Sequence, residues 1–138
     1  MARTPFTAEI LTPEGSVFKD DVELVSTMTT IGSIGIMAGH EPVLARLEPT
    51  ELRLYRSESD VVRYAQAEGY LQVAQGRVLV LVEEAIEPSR LDAAQLEDRL
   101  ATARHALEAA EEGSEQAARA QGDVRRAEAF LAILRGSR

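Results

Sequence analysis

The chain is predicted to fold in two parts, an N-terminal β-sandwich of about eight to ten short strands and a C-terminal antiparallel two-helix hairpin. Three observations predict it. Up to about Pro88, β-branched and other apolar residues alternate with polar ones in short runs between turn residues, the period of half-buried strands. After Pro88 the apolar residues recur every three or four positions, the period of a helix face. Charge changes at the same place: residues 1–89 hold 7 basic and 14 acidic groups, a net of −7, whereas 90–138 hold 8 and 9, a net of −1. The expected units are therefore 1–88 and 89–138.

Phe6, Ala8 and Ile10 alternate, and Pro13-Glu14-Gly15 then marks a turn. Val22, Leu24 and Val25 read as one short run, Ile34 and Ile36 as another between glycines, and Val43 and Leu44 after Pro42 as a further strand. Leu52 and Leu54, the polar turn 56–60, and then Val61, Val62 and Tyr64 form a hairpin. A second hairpin joins Tyr70–Val73 to Val78–Val82 through Gln75-Gly76. The run Val78-Leu79-Val80-Leu81-Val82 is apolar on both faces, so it is expected between two packed layers. Five of the six aromatic residues precede Pro88, which puts the main core in the first part.

Ser89 is the expected N-cap of the first helix, with Asp92 three residues on as an acidic form of the capping box. Leu96, Leu100, Ala103, Leu107 and Ala110 form its seam. Gly113-Ser114 interrupts the pattern, and Ala117, Ala120, Val124, Ala127, Leu131 and Leu134 form a second seam. Two such stripes joined by a tight turn hide best against each other. Residues 90–113 hold 3 basic and 6 acidic groups and 114–138 hold 5 and 3, so the helices carry opposite net charge. The seam is rich in alanine, and each methylene missing relative to leucine forgoes about 0.8 kcal/mol of burial. Gly122 weakens the second helix by about 1 kcal/mol relative to alanine. A marginal hairpin able to open is the expectation.

Composition narrows the function. Apolar residues make up 45% and charged residues 28%, the usage of a globular chain. With no cysteine there is no disulfide framework and no thiolate metal site. A net charge of −8 opposes general nucleic-acid binding. No run reaches the length of a membrane span, and Met1-Ala2-Arg3-Thr4-Pro5 has no apolar stretch after it, so the expectation is a soluble, cytosol-facing protein without membrane insertion.

Catalytic patterns are weak. The glycines from Gly32 to Gly39 match neither phosphate-binding fingerprint and suit tight β connections better. His40 adjoins Glu41, but no nucleophile and no metal-ligand spacing accompanies them. The carboxylate pairs Asp20-Asp21, Glu83-Glu84 and Glu111-Glu112 read as solvated surface. Arg119, Arg125, Arg126, Arg135 and Arg138 could meet an acidic protein surface or a phosphate, or stand as a solvated helix face with intrahelical pairs.

The segment Gly32-Ser33-Ile34-Gly35-Ile36-Met37-Ala38-Gly39-His40-Glu41-Pro42 resembles the Gly-x-x-Gly-Ile-x-x-Gly-His-x-Pro signature of the F-type ATP synthase epsilon subunits. Leu11-Thr12-Pro13-Glu14-Gly15, Leu47-Glu48-Pro49, Glu68-Gly69-Tyr70-Leu71-Gln72-Val73 and Val80-Leu81-Val82-Glu83-Glu84-Ala85 follow the family's order around it. Ser33 departs where an acidic residue is common, and Thr50 and Glu68 where glycine is common. The resemblance implies a non-catalytic central-stalk subunit, peripheral on the cytoplasmic side of a bacterial plasma membrane or an equivalent energy-transducing membrane. Its β domain would grip the gamma subunit and rest on the c-ring, with Ile31, Gly32, Ser33, Ile34, Gly35 and His40 near that rotor contact. Its hairpin would fold back, or extend along gamma to the alpha and beta subunits and suppress ATP hydrolysis through Arg119, Arg125, Arg126 and Arg135. Some members bind regulatory ATP through an Ile/Leu-Asp-x-x-Arg-Ala motif. Here Leu91-Asp92 keeps the opening, Gln95-Leu96 replaces Arg-Ala, and Arg125 is the remaining contact, so weak or absent ATP binding and no other cofactor are expected. Two alternatives from other classes are a β-sandwich adaptor whose hairpin docks a coiled coil, and a small enzyme using His40 and Glu41.

Overall fold

The computed structural model describes residues 3–136. The chain divides into two compact units, Met1–Glu87 and Pro88–Arg138.

The first unit holds ten strands: β1 (Phe6–Thr12), β2 (Gly15–Val22), β3 (Leu24–Thr29), β4 (Gly32–Ile36), β5 (Val43–Leu47), β6 (Thr50–Tyr55), β7 (Val61–Gln66), β8 (Gly69–Ala74), β9 (Arg77–Val82) and β10 (Ala85–Ile86). They pair in the order β10-β7-β6-β3-β5-β8-β9-β1-β2, with β4 beside β3. Pairing is antiparallel except between β1 and β9, which run parallel. The middle of this path is narrow: β3 and β5 share the single register pair Thr29 with Leu47. The Thr30 and Glu48 N–H groups add bonds to the Arg46 and Met28 carbonyls at 3.0 and 3.1 Å. Around that narrow join the two halves close on one core, Val25, Leu52, Leu54 and Tyr64 from one side and Ala8, Ile10, Leu71 and Val80 from the other. This is the expected β-sandwich.

Both expected hairpins form, β6 with β7 and β8 with β9. Gln75 and Gly76 have φ of 53° and 72°, the two positive values of a type I′ turn, whose twist matches the strands it joins. Gly69 is required for a different reason. A Cβ there would stand 2.0 Å from the Leu81 carbonyl oxygen, so only a bare backbone fits against β9. One polar group is fully buried in the sandwich: Gln66 accepts from Thr27 Oγ1 at 2.9 Å and donates to the Glu48 carbonyl at 2.8 Å. Its amide is thereby paired at both ends, as burial demands.

Three local expectations are corrected. Val22 and Leu24 do not share a strand; Val22 ends β2 and Leu24 begins β3, with Glu23 as a bend between them. β9 is not covered on both faces. Val78, Val80 and Val82 enter the core, while Leu79 is half-buried and Leu81 is 41% exposed, because the second layer covers only one side. Ser89 is not the N-cap. Pro88–Arg90 make a single 3-10 turn, and Asp92 caps the helix by accepting from the Gln95 N–H at 3.2 Å. Asp92 has the extended backbone of a cap, from which its short carboxylate reaches the first-turn N–H groups.

The second unit contains α1 (Ala93–Ala109) and α2 (Glu115–Leu134). Gly113 at φ 79° turns the chain, and Ser114 caps α2 by accepting from the Ala117 N–H at 3.1 Å. Ion pairs join Glu97 to Arg135 and Arg104 to Glu128, early with late and late with early, so the helices are antiparallel. Of the two seams, Leu96, Ala103, Ala120, Ala127 and Leu131 are buried, and the other seam positions are half-buried. Phe130 and Ile133 are buried as well, which widens the stripe at the end of α2 beyond the seam read from spacing.

Candidate docking surfaces

The β3–β4 turn carries the first candidate. Thr29 Oγ1 accepts from the Ile31 N–H at 3.2 Å and donates to the Gly32 carbonyl at 2.8 Å, clasping the turn from below. Ile31 at its tip is 96% exposed, an apolar side chain held out in water on a fixed support. Ser33 and Gly35 are exposed along β4, and Ile34 packs partly on the core. His40 does not join this group. It follows the far end of β4, whose five residues at about 3.3 Å each span roughly 17 Å. There it shares a small hollow with Phe6, Gly76 and Arg77 at the other end of the sandwich. The sequence signature is therefore split between two ends by a strand.

His40 and Glu41 do not form an acid–base pair. The His40 ring Nδ1 lies 2.7 Å from the Glu41 backbone carbonyl, which can only accept, so Nδ1 carries the proton in that bond. Among the described residues no group of three or more His, Cys, Asp or Glu could hold a metal ion. Glu51, accepting from Arg53 Nε at 2.7 Å, holds that guanidinium above its ordinary value, which is a structural pairing.

Sequence reasoning missed an exposed apolar surface. On the outer face of β5, β8, β9 and β1, Arg46, Tyr70, Leu81 and Leu11 stand opposite one another in one cross-strand row. Leu44, Gln72, Leu79 and Glu9 form the neighbouring row. Leu44 is 71% exposed, Tyr70 48% and Leu81 41%, with Leu11 and Leu79 half-buried beside them, so an apolar band bordered by Arg46, Gln72 and Glu9 lies on this face. Its signal was the doubly apolar run 78–82, taken for a strand buried on both sides. Two shallow concavities, of about 390 and 280 Å³, flank the band at either end.

The arginines of α2 are not one free basic face. Arg126 is bonded to Asp123 at 3.2 Å and Arg135 to Glu97 at 2.9 Å, while Arg119 and Arg125 are exposed. Arg138 lies outside the described residues. A cleft of about 460 Å³ opens on one flank of the hairpin and brings Gln95, Asp98, Arg99, Asp123 and Arg126 together. It does not include Leu91, Asp92 or Arg125; Asp92 is engaged as the helix cap.

A sandwich with an exposed apolar band, joined in sequence to an alanine-seamed hairpin, defines a docking subunit. Residues 5–88 match the family described as ATP synthase, Delta/Epsilon chain, beta-sandwich domain. The chain is 33% identical to the ATP synthase epsilon chain of Rubrobacter xylanophilus over 85% of this chain and 80% of that one. It is 32% identical to that of Herpetosiphon aurantiacus over 94% and 93%. The fold is similar to a chain in the Euglena gracilis mitochondrial ATP synthase, OSCP/F1/c-ring structure, with TM-score 0.78, 21% identity and 94% and 81% covered. A chain of the Tetrahymena thermophila mitochondrial ATP synthase central stalk/c-ring structure gives TM-score 0.63 at 13% identity, with 97% and 99% covered. The chain belongs to the delta/epsilon family of ATP synthase chains, as an epsilon subunit of the F-type enzyme, a non-catalytic accessory part of a membrane-bound complex. No helix among the described residues is long and apolar enough to cross a membrane.

Proposed function

We propose that this subunit works as a rotor part in the central stalk, with the β-sandwich gripping the gamma subunit through the apolar band of β5, β8, β9 and β1. The observation that carries this reading is the band itself: Leu44 at 71% and Tyr70 at 48% exposed are unfavourable in water and have no use within the lone domain. The Ile31 turn, at one end of the sandwich, is the c-ring contact. His40, at the opposite end, is assigned to the gamma side and not to the ring. The Euglena and Tetrahymena chains of like fold come from ATP synthase c-ring assemblies, which supports association with the rotor.

The hairpin is the brake on ATP hydrolysis, reaching the alpha and beta subunits when it extends along gamma. Arg119 and Arg125 are exposed on the helix, and Arg126 and Arg135 exchange Asp123 and Glu97 for the new surface. The cleft on the hairpin flank carries Asp98 and Asp123 beside Arg99 and Arg126, so its charges balance. A polyanion gains little there, and ATP binding is weak or absent.

Leu44→Asp with Leu81→Asp, placed on the outer face, tests the docking. The doubly substituted subunit is expected to fold and to lose copurification with gamma. Retained copurification would refute the band as the grip. Removal of residues 90–138 from the assembled enzyme is expected to raise hydrolysis, and unchanged hydrolysis would remove the brake. Calorimetry with ATP should give no micromolar affinity.

A further inference from the structure

In heptad terms, Leu96 and Ala103 of α1 and Ala127 and Leu134 of α2 occupy equivalent d positions of the seam. The next residue after each lies on one flank of the hairpin: Glu97 and Arg104 on α1, Glu128 on α2 and Arg135 at its C-cap. Both rungs are closed by ion pairs, Glu97 with Arg135 at 2.9 Å and Arg104 with Glu128 at 3.2 Å. The sign alternates. The acid is on α1 in the first rung and on α2 in the second.

We infer that this ladder is an electrostatic latch, which makes ionic strength a control on hairpin opening. The four side chains are each more than half exposed, so counter-ions reach them and screen both pairs. Beside the rungs, Ala103 and Ala127 of the seam supply little burial to hold the helices once the charges are screened. The alternation also fixes register. A slip of one heptad sets Glu97 against Glu128, or Arg104 against Arg135, and like charges oppose the slipped state. The regulatory consequence rests on the braking role proposed above, but the latch itself does not.

Amide exchange across α1 and α2 in the full-length protein tests the latch. Moving from about 20 mM to about 1 M salt should raise the opening constant about fivefold, while amides of the β-sandwich core stay unchanged. At low salt, Glu128→Arg should open the hairpin further. Adding Arg104→Glu, which restores an opposite pair, should return it to within about twofold. Salt-independent opening, or a charge swap that fails to rescue Glu128→Arg, would overturn the latch. Hydrolysis by the assembled enzyme separates the two ideas. If opening follows salt but hydrolysis ignores removal of 90–138, the brake fails and the latch stands; the reverse pattern removes the latch alone.

Discussion

The two units are held together by different means. In the β-sandwich, large side chains such as Ile10, Leu47, Leu52, Leu54 and Leu71 are fully buried, and they come from strands far apart in sequence. In the hairpin, three of the seven buried residues are alanine, and the helices are neighbours in the chain joined by exposed ion pairs. A core of the first kind opens as a whole, with every long-range pairing lost together. A seam of the second kind has a short loop to re-close and little burial along its alanines, its large buried side chains, Phe130, Leu131 and Ile133, being gathered at the end of α2. The difference suits the proposed roles, a sandwich that transmits force and a hairpin that changes shape.

The largest expected effect breaks the sandwich at its tightest point. Gly69→Ala places a Cβ 2.0 Å from the Leu81 carbonyl, where the obstacle is backbone and cannot swing aside. The register between β8 and β9 must shift, and a loss of about 3 kcal/mol or more is expected. Denaturant unfolding of the purified subunit measures it; a near-neutral result would mean the two strands are less fixed than the comparison supposes.

Next come paired truncations, one in each unit. Leu54→Ala removes a side chain that is 0% exposed and should cost about 2 to 5 kcal/mol in the sandwich transition. Leu96→Ala, at 3% exposed, removes the largest buried side chain of α1. Its cost, at the lower end of the same range, should appear as faster exchange in α1 and α2 with the sandwich amides unmoved. If Leu96→Ala slowed or hastened exchange throughout the molecule, the two units would not be energetically separate.

Much of this was legible from the residues. The period-2 runs gave the strands and both hairpins, and the change to 3 and 4 spacing after Pro88 gave the helices. What failed has physical causes. Periodicity cannot tell whether a doubly apolar strand such as Val78–Val82 is covered by its own chain or by another one, so the outer band was read as interior. Spacing alone found the seam but not Phe130 and Ile133, because burial at the end of α2 extends beyond one narrow stripe. Capping rules put Ser89 at the N-cap with Asp92 as its box partner, but the 3-10 turn at Pro88–Arg90 moves the cap to Asp92. The signature from Gly32 to Pro42 is contiguous in sequence, yet β4 carries Ile31 and His40 to opposite ends. Neighbours in a motif need not be neighbours in a site.

A smaller effect tests the turn. Ser114→Ala removes the hydroxyl that accepts from the Ala117 N–H at 3.1 Å and leaves a first-turn donor of α2 to water. A loss of about 1 kcal/mol is expected, confined to the hairpin.

The smallest expected effect is a second glycine in the sandwich, and it sharpens the first. Gly35 lies in β4, which pairs only with β3, and a Cβ there would meet nothing nearer than Leu24 Cδ1 at 3.7 Å, an ordinary contact. Its φ is not in the left-handed region, so alanine fits the backbone and narrows the unfolded ensemble. Gly35→Ala should therefore be neutral or stabilise by up to about 1 kcal/mol, whereas Gly69→Ala, also in a strand, disrupts the fold. Measured side by side by denaturant unfolding, the two separate close backbone packing from strand propensity. Equal losses at both would mean that glycine is needed in these strands for flexibility, and that the rigid sandwich set against the loose hairpin is the wrong contrast.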